Sequence, residues 1–343
     1  MTASMRAVVI EAPGRAGLGT LAPPVPAPGE VVLRIRTVGF CGSDLNTFRG
    51  LNPLVSYPRV PGHEIAGVVE ALGPEVPDDL REGTEVTVVP YTACGDCTAC
   101  RHGRVNTCRH NQTLGVQRDG ALTERIAVPW RSVLRADGLS RRELALVEPL
   151  AVGMHAVVRG RVASHDVVAV LGAGAVGLGA VAAAARTGAT VIAVDVDDRK
   201  LATARRAGAT HVVNTRSASL HDTLQSITNG DGPDVVIEAV GLAETFLSAV
   251  SEVAVAGRVV YIGYAKAPVS FDTTQFVRKE LDILGARNAT ADDFRSVLSM
   301  LHGRLFPVDD AVTRVVGLDG AAEALRAWDA DPGAVTRIHV DLD

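Results

Sequence analysis

The chain has 343 residues, of which 47% are hydrophobic and only 4% are aromatic. A chain of this length usually divides its hydrophobic residues between two cores, so we expect two domains. The formal net charge of −5 provides no electrostatic attraction to nucleic acid or to an anionic membrane, and neither partner is expected.

The N-terminal third of the chain predicts short strands, of which the first two are Arg6–Glu11 and Val31–Val38. A Pro- and Gly-rich stretch at 22–29 separates them, and alternation with turn signals continues past residue 130. This pattern is typical of a small antiparallel barrel. Residues 1–6 contain no apolar core, so no signal peptide is expected and a cytoplasmic location is predicted.

Three residue types in this region suit a catalytic metal site. Cys41 is followed by His63 and Glu64, and Glu148 comes later, before a proline. Cysteine, histidine and glutamate are ligands of catalytic zinc, which keeps one position for water or substrate and acidifies what binds there. A buried apolar thiol, a turn histidine and a charge at a helix N-terminus are the structural alternatives. The joint occurrence of the three residue types favours the zinc site.

Four of the five cysteines follow one another at the spacing C-x2-C-x2-C-x7-C: Cys94, Cys97, Cys100 and Cys108. Four thiolates so close together can surround one zinc ion and leave no position for substrate. Disulfides would require an oxidising compartment, and a redox motif would require only one pair. The pattern therefore predicts a structural zinc site.

The C-terminal half predicts an α/β domain. A helix is expected over Arg141–Val158 with Pro149 near its start. From residue 166 onward six short apolar strands alternate with helix-sized segments, which indicates a doubly wound parallel sheet. After about residue 289 come a helix, a strand at Ala311–Val316 and a last strand at 335–341. The second domain is therefore expected to be inserted into the first.

A glycine-rich turn marks a dinucleotide site in this half. Gly172, Gly174 and Gly177 follow a buried strand and open a helix, so the backbone can approach a pyrophosphate at the helix N-terminus. Asp195 ends the next strand, where a carboxylate accepts the ribose hydroxyls and repels a 2′-phosphate. The alternative is close helix–strand packing with a solvated aspartate. We expect NAD. The glycines also argue against a membrane span in the uncharged segment 167–185.

These motifs together resemble one family. The stretch Gly62-His63-Glu64-x2-Gly67-x5-Gly73-x2-Val76 resembles the zinc-containing alcohol dehydrogenase signature of the medium-chain dehydrogenase/reductase family. The cysteine segment, the GAGAVG turn and Glu148-Pro149-Leu150 match the same family, so the resemblance covers essentially the whole chain. Glu148 stands where classical alcohol dehydrogenases have a third thiolate, which is similar to the sorbitol and threonine dehydrogenase branch.

The resemblance implies a GroES-like antiparallel β-barrel catalytic domain (1–153 and 289–343) and a doubly wound Rossmann NAD-binding domain (154–288). It implies two zinc ions per chain, with Cys41, His63 and Glu64 around the catalytic one. Glu148 is either a further ligand of this zinc or is joined to it through the metal-bound water, and both arrangements stay open. Further cofactor contacts are predicted at Val176, Lys200, Val240 and Ile262. In the family a hydroxyl at Ser43 accepts the substrate proton, but the histidine that continues the relay is Asn46 here, an amide that does not titrate.

The expected substrate is a secondary alcohol in a polyol or sugar acid. Arg287 and Asn288 follow the last strand of the predicted sheet, and a guanidinium there could bind hydroxyls or a carboxylate. A surface salt bridge is the alternative for Arg287. A simple alcohol, diol or threonine-like amino-alcohol dehydrogenase and an NAD-binding sensor without turnover are the competing functions. A homotetramer or homodimer is implied, joined through an edge strand at 259–263 or 281–285.

Overall fold

The structure, a computed structural model, describes residues 4–342. Residues 1–3 lie outside this range, and they belong to the N-terminal segment in which no signal peptide is expected. The chain divides into two compact units, which consist of Met1–Glu148, Thr290–His302 and Val308–Asp343, and of Pro149–Ala289 and Gly303–Pro307. The assignment of catalysis to 1–153 with 289–343 and of NAD binding to 154–288 stays a prediction.

The N-terminal elements are mostly strands. They are β1 Met5–Ala12, β2 Arg15–Leu21, β3 Glu30–Phe40, α1 Gly42–Phe48, β4 Glu64–Leu72, β5 Glu85–Val88, α2 Thr98–Arg101, β6 Arg125–Pro129, β7 Val133–Arg135 and α3 Arg141–Arg159. The predicted strands at 6–11 and 31–38 lie within β1 and β3. Strand β2 was not predicted, because it contains small residues and none of its positions is buried.

Pro149 was predicted to lie near the start of helix α3, but the helix begins well before it. Ser140 and Glu143 form a reciprocal cap, in which the Ser140 N–H donates to Glu143 Oε2 at 2.7 Å and the Glu143 N–H donates to Ser140 Oγ at 3.3 Å. This cap fixes the start at Arg141, so Pro149 lies inside the helix. The prediction that Pro149 lies near the start is wrong.

The second unit contains the predicted parallel sheet. Its elements are β8 Val167–Leu171, α4 Ala175–Arg186, β9 Thr190–Asp195, α5 Asp198–Arg206, β10 His211–Asn214, α6 Leu220–Ile227, β11 Val235–Glu238, α7 Ala243–Glu252, β12 Arg258–Tyr261, α8 Thr274–Arg278 and β13 Asp282–Gly285. The strand order is β10-β9-β8-β11-β12-β13, and every pair is parallel. The doubly wound sheet is confirmed. Because β12 lies between two strands, the edge candidate at 259–263 is wrong, whereas the candidate at 281–285 contains β13, one of the two edge strands.

The C-terminal elements complete the first unit. They are α9 Ala291–His302, α10 Val308–Ala311, β14 Arg314–Gly317, α11 Ala321–Ala330 and β15 Ile338–Asp341. The strand expected at 311–316 begins three residues later because α10 occupies its start. Strand β15 pairs antiparallel with β3 and parallel with β14, in a mostly antiparallel sheet of seven strands ordered β14-β15-β3-β4-β5-β7, with β6 paired to β3. No helix within residues 4–342 is both long and apolar enough to cross a bilayer.

Candidate active site

Cys41, His63 and Glu64 lie together where β3 ends and β4 begins. Cys41 directly follows β3, and Glu64 is the first residue of β4. The strands pair antiparallel with Gly39 opposite Glu64, so residues distant in the sequence meet. One possible ligand atom from each residue lies within 4.8 Å of the other two. His63 and Glu64 are buried, and Cys41 is half-buried.

Gly39 leaves the space that the Glu64 carboxylate occupies. A Cβ atom at position 39 would overlap Oε2 of Glu64 and lie 3.1 Å from the Glu64 Cβ. This Oε2 is buried and has no hydrogen-bond partner within residues 4–342. A buried carboxylate oxygen without a partner is costly, so a cation at this point would remove a penalty.

The other oxygen of Glu64 is bound by Arg337, which sequence reasoning missed. Arg337 Nη1 donates to Glu64 Oε1, and to the carbonyl oxygen of Phe40 at 2.6 Å, with both charged side chains buried. Arg337 precedes β15, whose pairing with β3 places it beside Phe40. Burial raises the pKa of Glu64 to about 7, and the charge of Arg337 opposes that rise. An arginine directly before the last strand was the available signal.

Asp44, also missed, joins the two loops that carry the site. Its Oδ2 accepts from the Cys41 N–H at 2.8 Å, and its Oδ1 accepts from the Gly62 N–H at 3.2 Å. Burial raises the pKa of Asp44, against the charge of His63. Burial lowers the pKa of His63, but the hydrogen bond with Cys41 and the charges of Cys41, Asp44 and Glu148 raise it well above its ordinary value. This concentration of negative charge favours a bound cation.

Glu148 is held by a tyrosine. The Tyr91 hydroxyl donates to Glu148 Oε1, and its ring meets Phe294 edge to face with centroids 6.4 Å apart. Burial and the charge of Glu148 raise the pKa of Tyr91 well above its usual value, so the phenol stays a donor at neutral pH. Within the described range, Glu148 does not belong to the group in which Cys41, His63 and Glu64 lie within 4.8 Å of one another.

Further unpartnered atoms surround Cys41. Ser43 Oγ and His63 Nδ1 are buried and find no hydrogen-bond partner in the described part of the chain. Asn46 lies half-buried in the same helix as Ser43. Buried polar atoms are nearly always paired, and thiolate, imidazole and carboxylate are the donor set of a zinc site with an open position. The residues therefore fit a catalytic zinc ion with a substrate hydroxyl.

The four remaining cysteines form a second, separate cluster. Three sulfur pairs are 3.5–3.9 Å apart: Cys94 with Cys108, Cys97 with Cys100, and Cys97 with Cys108. Four sulfurs at about 2.3 Å from a central zinc would be about 3.8 Å from one another, whereas a disulfide requires about 2.05 Å. Backbone N–H groups of Arg109 and Cys100 lower the pKa of Cys97 to about 6. The cluster fits a structural zinc ion.

The glycine turn connects β8 to α4. Gly172 has φ +97°, and a Cβ there would lie 2.7 Å from Val240 Cγ2. A Cβ on Gly177 would overlap the carbonyl oxygen of Gly172, whereas Gly174, at the start of α4, faces open space. The Asp195 carboxylate accepts from the Ala173 N–H at 2.7 Å, which ties the end of β9 to the turn. Close packing is thus present at the turn, and α4 begins directly after it, as a pyrophosphate site requires.

The comparisons with known proteins agree with this geometry. Residues 27–138 match the family model described as alcohol dehydrogenase GroES-like domain, and residues 175–303 match zinc-binding dehydrogenase. L-galactonate-5-dehydrogenase of Escherichia coli K12 is 34% identical over 274 residues, 80% of either chain. Sorbitol dehydrogenase of Bacillus subtilis is 36% identical over 289 residues, 82% of either chain. The chain belongs to the zinc-containing alcohol dehydrogenase family.

Solved structures of similar dehydrogenases extend the likeness to almost the whole chain. An NADH complex from Escherichia coli CFT073, described as a short chain alcohol dehydrogenase, has a TM-score of 0.90 at 28% identity and covers 98% of this chain and 99% of its own. A zinc-binding dehydrogenase from Sinorhizobium meliloti 1021 bound to NADP has a TM-score of 0.90 at 28% identity, with 99% of each chain covered.

Family membership confirms the GroES-like and Rossmann folds, the dehydrogenase activity on a small molecule, and the use of zinc and a nicotinamide cofactor. The sensor without turnover is not favoured. The residue assignments stay predictions. Val176 lies in α4, Lys200 in α5, and Val240 and Ile262 follow β11 and β12. Beyond β13, Arg287 is exposed, and Asn288 has a left-handed backbone with φ +54°.

Proposed function

We propose that this dehydrogenase reversibly oxidises a secondary alcohol of a polyol or sugar acid to a ketone with NAD. The supporting observation is the group Cys41, His63 and Glu64, whose ligand atoms lie within 4.8 Å of one another in a buried, negatively charged setting. When bound, zinc supplies a Lewis acid that acidifies the substrate hydroxyl, and the nicotinamide supplies the hydride acceptor.

The proposed roles divide the two glutamates. Cys41, His63 and Oε2 of Glu64 would hold the catalytic zinc, while Arg337 keeps Oε1 of Glu64 oriented. Glu148, oriented by Tyr91, would accept a hydrogen bond from water or a substrate hydroxyl. The four clustered cysteines would hold the structural zinc and have no part in catalysis. Residues 1–153 with 289–343 would form the catalytic domain, and residues 154–288 the NAD-binding domain.

The proton of the substrate hydroxyl would pass to Ser43 Oγ, which has no other partner within residues 4–342. Asn46 cannot carry it further, because an amide does not titrate near neutral pH. The proton would instead leave through a cofactor ribose hydroxyl and water.

Asn46→His should therefore leave the enzyme active. We expect kcat within about threefold of the native value, with an added inflection near pH ~6.5 from the new imidazole. The measurement is kcat as a function of pH for both enzymes, with Asn46→Ala as the control that removes the amide without adding a titrating group. A collapse of activity in Asn46→His would show that the asparagine has a positive role.

The cofactor is proposed to be NAD and not NADP. The Asp195 carboxylate would accept the ribose hydroxyls and repel a 2′-phosphate, and its contact with the Ala173 N–H keeps it at the turn. The two similar complexes contain NADH and NADP, so the decision rests on this side chain. The preference is measured as the ratio of kcat/KM with NAD to kcat/KM with NADP.

Arg287 is proposed to contact the hydroxyls or carboxylate of the substrate. Arg287→Ala should raise KM for a polyhydroxylated substrate about tenfold, with little change for 2-butanol, because only the former offers groups to a guanidinium. Arg278→Ala removes an exposed arginine of the same unit and is the matched control. Equal effects on both substrates would exclude Arg287 from the substrate site.

A substrate screen tests the function as a whole. NAD reduction is followed with sugar alcohols, aldonates, L-threonine and simple secondary alcohols at equal concentration. The similar L-galactonate-5-dehydrogenase and sorbitol dehydrogenase point to the first two classes. Highest kcat/KM for L-threonine or 2-butanol would contradict the polyol and sugar-acid proposal.

The proposed assembly is a homodimer or homotetramer joined through the edge strand β13. Within residues 4–342 this strand pairs with β12 alone, and it has exposed Asp282, Ile283 and Gly285, so its other side could pair with a second copy. Light scattering measures the mass in solution. A cytoplasmic location is proposed because four clustered metal-binding thiols require a reducing compartment.

A further inference from the structure

His339, in β15, is a fully buried histidine that has no part in the site described above. Neither Nδ1 nor Nε2 of its ring has a hydrogen-bond partner within residues 4–342. Buried polar atoms are nearly always paired, and an ordered water serves where no protein group does. The groups around this ring therefore indicate what it binds.

The position of His339 in the sheet excludes a side-chain partner directly across from it. Ile338 and Val340 alternate with His339 along β15 and belong to the apolar core of the first unit, so His339 lies on the other face of the strand. The residues opposite it are Gly39 in β3 and Val315 in β14. Neither has a polar side chain.

The metal-site carboxylate and its arginine lie on the same face as His339. Gly39 pairs with Glu64 on one side and with His339 on the other, and a Cβ on Gly39 would overlap Oε2 of Glu64. Arg337 precedes His339 by two residues, shares its face, and donates from Nη1 to Glu64 Oε1. Arg337 Nε is buried and has no partner in the described part of the chain. An unpaired donor and an unpaired imidazole thus lie beside Glu64.

The surrounding charges keep the imidazole neutral. Burial, together with the positive charges of Arg337 and Arg142, lowers the pKa of His339 to about 3. The next residue on this face, Asp341, already accepts from Thr37 Oγ1 at 2.7 Å. A neutral imidazole accepts a hydrogen bond through one nitrogen, and it competes less for a guanidinium than a carboxylate would. His339 can therefore satisfy Arg337 without drawing it away from Glu64.

We infer that His339 is a positioning residue for the catalytic metal, acting through a buried water that joins its ring to Arg337 Nε. The water accepts from the Nε–H and donates to the unprotonated ring nitrogen. The guanidinium then keeps Nη1 on Oε1 of Glu64, which leaves Oε2 directed to the metal. His339 touches neither the metal nor the substrate. The inference rests on the proposed zinc site.

The test measures the affinity of the catalytic site for zinc. Full-length enzyme is equilibrated with chelator-buffered zinc over a range of free concentrations, and the bound ions per chain are counted. Cys41→Ser lacks the thiolate of this site and so identifies which binding step belongs to it. His339→Leu should raise the zinc Kd of that step about tenfold or more, since residues that orient metal ligands typically contribute roughly 10- to 100-fold to metal affinity. His339→Gln keeps an acceptor oxygen and should raise it only about threefold.

Val340→Ala is the matched control, because Val340 is the next residue of β15 and is buried in the apolar core on the other face. It should lower the midpoint of thermal unfolding by about 5 °C and leave the zinc Kd within about twofold. His339→Leu should show the opposite pattern, with the midpoint within about 3 °C of native. An unchanged zinc Kd in His339→Leu, or equal losses in the leucine and glutamine variants, would overturn the inference.

A crystal structure of the native zinc-loaded enzyme tests the inference without any variant. An ordered water should lie within about 3.2 Å of both Arg337 Nε and one ring nitrogen of His339. A structure with zinc at Cys41 and no water between these two side chains would overturn the inference and leave the proposed function intact. A native enzyme with no zinc step that depends on Cys41 would overturn the proposed function itself.

Discussion

His63→Ala should lower kcat/KM by at least about 10³-fold, because a Lewis acid worth several kcal/mol is removed from the reacting hydroxyl. The zinc content should fall from about two ions per chain to about one, since the four clustered cysteines keep theirs. Metal analysis of the purified variant, together with steady-state kinetics on the best substrate of the screen, measures both values.

His102→Ala is the matched control for this prediction. His102 is exposed and lies beside the cysteine cluster, whose four sulfurs leave no coordination position for it. We expect two zinc ions per chain and native activity in this variant. If His63→Ala kept both ions or most of its activity, the catalytic zinc would have to lie elsewhere.

Cys100→Ser should lower the midpoint of thermal unfolding by about 10 °C or more. Structural zinc contributes on the order of 10 kcal/mol to the folding of small peptides, and several kcal/mol of lost stability correspond to a shift of this size in a unit of about 200 residues. The serine is nearly isosteric, so lost coordination and not lost packing would cause the change. Calorimetry and metal analysis on the same sample provide the measurement.

Cys41→Ser provides the comparison, because it removes the one cysteine outside the cluster. This variant should also lose one zinc ion, yet its unfolding midpoint should stay within about 3 °C of the native value, since the catalytic zinc closes no separate lobe. Activity should be lost in Cys41→Ser and retained in the folded fraction of Cys100→Ser. If Cys100→Ser abolished activity and Cys41→Ser instead lowered the unfolding midpoint, the four clustered cysteines would hold the catalytic zinc and Cys41 would belong to the structural site.

The features that could be predicted from the sequence are those contained in short segments. The turn at Gly172–Gly177 requires glycine for local reasons, because Gly172 has φ +97° and a Cβ on Gly177 would overlap the carbonyl oxygen of Gly172. The spacing of Cys94 to Cys108 restricts four sulfurs to one volume because the connecting turns are short. The alternation of strand and helix after residue 166 likewise repeats a local pattern, and it predicted the doubly wound sheet of six strands.

The incorrect predictions concern properties that a short segment does not contain. Pro149 indicated a helix start, but the cap formed by Ser140 and Glu143 had already begun the helix upstream. Strand β12 looked as suitable for a sheet edge as β13, because both are short and apolar. Only the order of the assembled strands shows which of them has a free side.

The sequence by itself determined which chemical groups are available: a thiol, an imidazole and two carboxylates for one metal, four thiols for another, and a glycine turn for a dinucleotide. The tertiary structure decided how the two carboxylates differ. Pairing of β15 with β3 brings Arg337 to Glu64, whereas Glu148 in α3 is bound by Tyr91, which follows β5 outside the named strands. These contacts join residues separated by 273 and 57 positions. Strand register, which no local spacing encodes, determines the first, and the second joins a loop residue to a helix residue that no local spacing brings together.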